Sequence, residues 1–278
     1  MYKNLSPGAV GLSGMSTEIL PLARAVGFGG VDPAWNEPAD VLKRLFAENG
    51  LQFGSVGLPV DFRADQQRYE QGMAGLEKAA RAAAELGCRR CATWLRPFSD
   101  DLPYAENFRL HRDRLRPAAE ILRAHGLRFG LEFVAPKTLR DGHRYEFIHT
   151  LGQVLDLCDA IGTGNMGVLL DSWHWYTAHG TVEEIRSRLS NDLIVLVHVN
   201  DAPVGVAVDR QVDSVRELPG ATGIIDIAGF LKALTALGYD GPVTPEPFCK
   251  ALREMPREAA AQKVGQAMDR IWTMAGLT

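Results

Sequence analysis

The segment GVLLDSWHWYTAHG, from Gly167 to Gly180, opens as an apolar run and then sets Asp171, Trp173, His174 and Trp175 where that run ends. A carboxylate and an imidazole can act as acid, base or metal ligand, and indoles offer flat apolar surface, so this spacing reads as a strand leading into a polar site. Three other apolar runs are interrupted in the same way. RFGLEFV, from Arg128, carries Glu132; IVLVHVND, from Ile194, carries His198; GPVTPEPF, from Gly241, carries Glu246. Successive side chains of a strand point to opposite faces, which groups Glu132 with Gly130 and Val134, Asp171 with Leu169, His198 with Leu196 and Asn200, and Glu246 with Thr244. Each late strand thus presents one ligand-type side chain, and Gly130 is expected to leave room beside Glu132.

A single acid at a strand end is ordinarily a helix cap or a salt-bridge partner. Three carboxylates and an imidazole on successive strands are harder to place that way. Left unpaired beside a core they are costly, whereas one shared divalent cation neutralises and orders them together. Three oxygen donors with one nitrogen donor suit Mn²⁺, Mg²⁺, Co²⁺ or Zn²⁺, manganese foremost, and the lack of cysteine in the set argues against a closed structural zinc site. Arg96 and Lys137, just beyond two strand ends, are expected to hold a phosphate, a carboxylate or hydroxyls, with ordinary surface charge as the alternative. Trp35, Trp94, Trp173 and Trp175 fall near strand ends, where their rings either line a pocket for a sugar or cyclitol or pack at its rim.

The elements that must position these groups form a repeating pattern. Eight short apolar runs, beginning at Gly8, Gly29, Gln52, Arg89, Arg128, Met166, Ile194 and Gly241, alternate with stretches of helical period such as LEKAARAAAEL from Leu76. A glycine recurs after the helices and before the next strand, as in ELGCRR, AHGLRF and ALGYDG. No linker, low-complexity tract or shift of composition divides the chain. The pattern predicts an α/β fold, a single (β/α)8 TIM barrel over residues 1–278, whose active groups belong at the C-terminal ends of the strands. An open doubly wound sheet is the alternative, but no glycine-rich fingerprint follows the first strand.

Composition narrows the function classes. The 278 residues are 46% apolar with a formal net charge of −4, and Lys and Arg are dispersed, so a dedicated nucleic-acid partner is not expected. The N-terminal stretch lacks a signal-like pattern, and no run approaches about 18 uninterrupted apolar residues; a cytoplasmic protein with no membrane partner is expected. Cys88 and Cys91 form a CxxC, but with no second pair they read as reduced, packed thiols. The stretch from Asp201 to Thr222 has no clear element and is expected to form a lid over the metal. His125 reads as a helix end, and His179, near His174 in sequence, as a group behind the site. A small-molecule substrate is expected, and a homo-oligomer is common for such barrels.

From Gly130 to Phe248, GLEFV, LLDSWHWY, VHVNDAP, RELPGATGIIDIAGFLKAL and GYDGPVTPEPF resemble the sugar phosphate isomerase/epimerase family of xylose isomerase-like barrels, the inosose (2-keto-myo-inositol) isomerases above all and the ketose 3-epimerases more distantly. The first half, to Leu127, matches only in its rhythm. The resemblance implies that Glu132, Asp171, His198 and Glu246 bind the metal, and that Glu132 and Glu246 double as the acid/base pair. It also implies that His174 contacts a substrate hydroxyl and that Arg216, in RELPG, faces the substrate. Where the ketose 3-epimerases carry a further glutamate, LEFVAPKTLR has Lys137 and Thr138, which points away from free ketoses.

The activity so implied is isomerisation or epimerisation of a keto-sugar or keto-cyclitol. A carboxylate removes the proton next to a carbonyl that the metal polarises, and the charge is carried as an enediolate. An inosose-type dehydratase or lyase on the same site is the enzymic alternative, since loss of a β-hydroxyl follows from the same enediolate. A sugar-binding barrel without catalysis is the other alternative. A DNA-repair endonuclease of this barrel type needs more ligands and a basic groove, neither of which the chain offers.

Overall fold

The computed structural model describes residues 1–35 and 37–277. β1 (Tyr2–Leu5) is followed by α1 (Ser16–Ala25), β2 (Gly30–Val31) by α2 (Ala39–Glu48), and the short pair β3 (Gln52–Phe53) and β4 (Val56–Gly57) by α3 (Gln66–Leu86). β5 (Arg90–Trp94), β6 (Phe98–Ser99) and α4 (Tyr104–Ala124) come next, then β7 (Arg128–Glu132), α5 (Lys137–Arg140), β8 (Tyr145–Glu146) and α6 (Leu151–Ile161). β9 (Met166–Asp171) leads into α7 (Ser172–Thr177) and α8 (Val182–Arg188); β10 (Ile194–Val199) into a long loop and α9 (Ile227–Ala236); β11 (Pro242–Pro245) into α10 (Lys250–Arg253) and α11 (Arg257–Ala275).

Nine strands form one parallel sheet in the order β3-β2-β1-β11-β10-β9-β7-β5-β4, while β6 and β8 make a small antiparallel pair beside it. The two ends of that order, β3 and β4, are consecutive in the chain, so one segment closes the sheet into a barrel. The break between them is at Gly54, where a Cβ would collide with Asn4 Oδ1 and Asp32 Oδ1. The helices begin and end where the sequence provides caps. Asp65 accepts from the Arg68 N–H at 2.9 Å and Asp226 from that of Gly229 at 2.9 Å, and α3 and α6 stop at Gly87 and Gly162, both left-handed.

Most of the core lies between sheet and helices, where Phe129, Phe133, Phe147, Phe230 and Trp173 are fully buried, each contributing about 1.5–3 kcal/mol. Among the described residues, Ala92, Leu169 and Leu196 form a separate small apolar cluster inside the barrel. The outer layer carries the stability, which leaves the strand ends above that small plug free to hold polar groups.

Two expectations are corrected here. The strand expected from Gly8 is absent: Pro7–Val10 is a 3-10 turn closed by left-handed Gly11, and the strand is Tyr2–Leu5. Pro7 has no N–H for a central ladder. Asn4, donating to Asp32 Oδ1 at 2.9 Å and Thr244 Oγ1 at 3.0 Å, gives β1 a polar inner face that hydropathy does not flag. Gly130 also leaves no spare room, since a Cβ there would stand 3.0 Å from Val195 Cβ; its smallness lets the barrel wall pack closely.

Candidate metal centre

Glu132 and Asp171 are the last residues of β7 and β9, His198 is next to last in β10, and Glu246 follows β11, its N–H donating to the Val199 carbonyl at 3.0 Å. Parallel strands end on one side of the barrel, so these four side chains converge. One ligand atom from each lies within 4.8 Å of all the others. Asp171 is fully buried and fixed twice: its Oδ1 accepts from the Trp173 N–H at 2.8 Å, as the cap of α7, and from Asn200 Nδ2 at 3.0 Å.

Glu132 Oε1 and His198 Nδ1 are buried without a well-formed hydrogen bond, 3.8 Å from each other, and Nδ1 lies 3.4 Å from Glu246 Oε2 in an ion pair of poor hydrogen-bond geometry. Orphaned buried polar atoms are rare and call for an explanation. A divalent cation satisfies both at once, and three carboxylates with one imidazole are a suitable donor set for it. The residues present therefore fit a metal.

Without one, the charges balance through protons and an arginine. Burial and the neighbouring Glu246 charge raise the Glu132 carboxyl well above the usual carboxylate range. Burial acts the same way on Glu246, but the positive charges of His198 and Arg216 outweigh it and hold that group low. Burial alone would depress His198; the charges of Glu246, Glu132 and Asp171 reverse this and raise it to about 10. Arg216 Nη1 reaches Asp171 Oδ2 at 2.9 Å and Glu246 Oε2 at 3.0 Å, and its Nη2 reaches Asp213 Oδ1 at 2.8 Å. The three acids outweigh its burial and keep it charged.

A cavity of about 490 Å³ opens over this cluster, walled by Trp94, Arg96, His174, Asp213, Arg216 and Phe248 among others. His174 stands with Nδ1 3.3 Å from the Ala135 N–H and Nε2 3.4 Å from Arg216 Nη2, the latter ring nitrogen also within 4.0 Å of Glu132, Asp171 and Asp213. Burial depresses this imidazole to about 3, with the Arg216 charge acting in the same direction and Asp171 against it. Arg96 stands at the cavity rim.

Other expected groups lie elsewhere. Trp175 is 5% exposed, packs on Phe230 at 5.4 Å between ring centres and donates to the Thr181 carbonyl at 3.3 Å. One residue along a helix turns the side chain about 100°, so with His174 facing the cavity Trp175 faces α9. Trp173 is buried beneath Arg216, 5.2 Å from its guanidinium, and Trp35 is exposed on a different surface. Lys137 is exposed at the start of α5 and does not border the cavity; its charge acts on Asp209 instead. His179, on the surface, pairs with Asp209 at 2.9 Å rather than standing behind the site. Cys88 and Cys91 are buried free thiols, and burial pushes Cys88 up to about 11, away from reactivity.

Asp213 and Asn200 join the site without having been singled out from sequence. Asp213 sits in the irregular loop, where no periodicity assigns a face; its only signal is its place three residues before Arg216. The loop from 201 to 222 is pinned at its base by Asp201, whose carboxylate accepts from the N–H groups of Ala202, Thr222, Gly223 and Ile225 at 2.8–3.0 Å. Its arch delivers Asp213 and Arg216 over the four strand ends.

Residues 20–271 match the xylose isomerase-like TIM barrel family. The chain is 32% identical over 266 residues to a 3-dehydroshikimate dehydratase of Pseudomonas aeruginosa, covering 92% of this chain but 40% of that protein. It is 28% identical over 137 residues to an inosose isomerase of Bacillus velezensis, covering 48% of this chain and 44% of that one. The chain thus spans less than half the length of these curated relatives. A solved xylose isomerase domain protein from Alicyclobacillus acidocaldarius superposes with a TM-score of 0.86 at 31% identity, over 99% of both chains. Barrel topology, the converging strand-end donors and the match over residues 20–271 lead to one assignment: the chain belongs to the xylose isomerase-like TIM barrel family.

Proposed function

We propose that this protein is a divalent-metal-dependent isomerase or epimerase that moves a proton next to the carbonyl of a keto-sugar or keto-cyclitol. The observation that carries this reading is the convergence of Glu132, Asp171, His198 and Glu246, two of them with orphaned buried ligand atoms, at the floor of a cavity sized for a small polyol. A divalent ion held by these four, manganese foremost, supplies positive charge beside a substrate carbonyl.

The chain's own groups do the rest. Glu132 and Glu246 differ in environment, one pushed up and the other held low, which is the condition for one carboxyl to remove a proton and the other to return it. The proton leaves carbon for a carboxylate oxygen and comes back to the neighbouring carbon in an isomerisation, or to the opposite face in an epimerisation. His174 turns Nε2 toward the cavity, where it can hydrogen-bond a substrate oxygen, and Arg216 neutralises negative charge above the acids. Trp94, 44% exposed at the wall, offers a flat surface to a ring.

A dehydratase is the second reading, favoured by the 32% identity with a 3-dehydroshikimate dehydratase along 92% of this chain. After the same proton removal, the β C–O bond breaks and the hydroxyl leaves as water with the proton that a carboxyl of the pair returns, so no further group is required. Elemental analysis of wild type, Glu246→Gln and His198→Ala, combined with solvent deuterium exchange on inososes and ketoses, tests the first reading. About one divalent ion per chain, lost in both variants, together with metal-dependent exchange supports it; a metal-free protein moves the conclusion to a binding barrel. A new conjugated-carbonyl absorbance on turnover selects the dehydratase.

A further inference from the structure

Beyond the four strand-end donors, the cavity continues outward along a strip of arginines that the proposed chemistry does not use. Arg96, two residues past the end of β5, borders both the metal cavity and a neighbouring depression lined by Arg63, Arg68 and Trp94. A third hollow, toward α4, is again shared by Arg63 and Arg96. Trp94 pairs with Glu132 in the strand register, so this strip begins one strand away from Glu132.

Arg63 is held firmly. Its guanidinium stacks on the Trp94 ring at 3.9 Å, and Nη1 donates to the Trp94 carbonyl at 3.1 Å. Its nearest acid, Asp61, is 3.9 Å away and 55% exposed, a weak partner. Arg96 lies over the Phe98 ring at 5.7 Å and makes no ion pair with any described residue. The nearby Asp100 is already engaged by His143 at 2.9 Å and by the Arg144 N–H at 2.9 Å. Burial of Arg63 and the like charge of Arg96 both weaken its hold on its proton. Two guanidiniums are thus brought to one hollow, one of them stacked and oriented; Asp61 and Asp65 also line it, Asp65 already capping α3, and with Arg68 the arginines outnumber the acids three to two. Planar guanidinium groups of this kind recognise oxyanions by paired, charge-assisted hydrogen bonds.

We infer that Arg63 and Arg96 form an oxyanion subsite at the mouth of the metal cavity, so that the substrate is an anionic keto compound, its carboxylate or phosphate held by the arginines while its carbonyl end lies at the strand-end donors. This specifies the substrate class within the function proposed above and rests on that reading for the carbonyl end alone. A neutral ketose or cyclitol leaves both arginines unanswered. An anionic one gains binding remote from the reacting carbon, which orients it there.

The anion subsite can be tested without metal or turnover. The side-chain Nε–H signals of Arg63 and Arg96, assigned through Arg63→Gln and Arg96→Gln, are followed by NMR. The titrants are cyclohexanecarboxylate, inorganic phosphate and the neutral cyclohexanemethanol. Saturable shifts of both signals with at least one anion and none with the alcohol are expected, with affinity falling about tenfold or more in Arg96→Gln. Tighter binding of phosphate identifies a phosphorylated substrate, and tighter binding of the ring carboxylate a keto acid; either supports the subsite. Unchanged signals with both anions, or unchanged affinity in Arg96→Gln, overturn it. Arg96 makes no ion pair with any described residue, so an unchanged denaturation midpoint is expected in Arg96→Gln and separates lost binding from a folding effect, and metal content measured on the same sample reports separately on the strand-end site.

Discussion

Arg216 Nη1 lies 3.0 Å from Glu246 Oε2 and, through the same nitrogen, 2.9 Å from Asp171 Oδ2, so the loop's arginine neutralises two of the four candidate metal ligands. Arginine and cation therefore supply the same commodity to these acids, and each should offset loss of the other. Arg216→Met should destabilise the metal-free protein by about 3–5 kcal/mol, because it takes from buried Asp171 its guanidinium partner and leaves Glu246 with His198 alone. The loss should shrink when Mn²⁺ is added. Urea denaturation in chelator and in excess Mn²⁺ measures both, and an equal loss in the two conditions would show that the arginine does not share this role.

The proton affinities around the cluster set a pH dependence with a definite sign. His198, raised to about 10 in the folded protein from an ordinary value near 6.5, contributes stability that is fully present below about pH 6.5 and is lost as pH rises toward 10. Glu132, also raised, acts in the same direction, its contribution present below its ordinary range and lost above it. Metal binding requires both groups without their protons. The gap in melting temperature between metal-loaded and metal-free protein should therefore widen from pH 6 to pH 9. A gap that stays constant across that interval would mean that these protons are not displaced by metal.

His174 behaves differently from His198 although both rings face the same acids. Burial holds it to about 3, so it stays neutral through the assay range and its titration should not appear in the pH–rate profile. His174→Phe should lower kcat/KM by about ten- to a hundredfold, the loss of one or two substrate hydrogen bonds, with metal content unchanged. Loss of metal in this variant would instead make His174 part of the ligand set.

The site was legible where it stood on regular strands and obscure where it did not. Glu132, Asp171 and His198 each end or nearly end an apolar strand, and period-two alternation fixes their face; Glu246 follows a shorter one with the same logic. For Trp175, nearness to a strand end leaves pocket lining and rim packing equally open. Here a helix starts at once, capped by Asp171 itself, and its period turns the indole inward. Asp213 belongs to a segment with no period at all. In β1 the converse holds, since Asn4 sits inside the barrel and interrupts the apolar signal that would have marked the strand.

The two tryptophans should separate stability from binding. Trp175→Ala removes a buried ring packed on Phe230 and should lower stability by about 3–5 kcal/mol while changing KM little. Trp94→Ala, at a position 44% exposed but stacked by the Arg63 guanidinium, should cost about 0.5–1 kcal/mol, well below the Trp175 loss, yet weaken binding of any ring substrate. Denaturation midpoints and KM values for the pair check this directly. A KM effect confined to Trp175→Ala would return that residue to the cavity wall.

Asp201 gives the loop its shape, and through it sets the aim of Asp213 and Arg216. It stands just beyond the end of β10, fully buried, with four backbone N–H groups on its two oxygens and a backbone bridge to Glu217 on its own main chain. Asp201→Asn keeps the volume but replaces one acceptor oxygen by an N–H₂ group facing donors, a change worth about 1.5–3 kcal/mol. The base of the arch should loosen, and with it the aim of Asp213 and Arg216. Amide hydrogen exchange should rise over residues 201–222, and kcat/KM should fall with the metal still bound. Faster exchange with unaltered kcat/KM would show that the loop is held by Asp201 but that its arginine is not needed in that position for turnover.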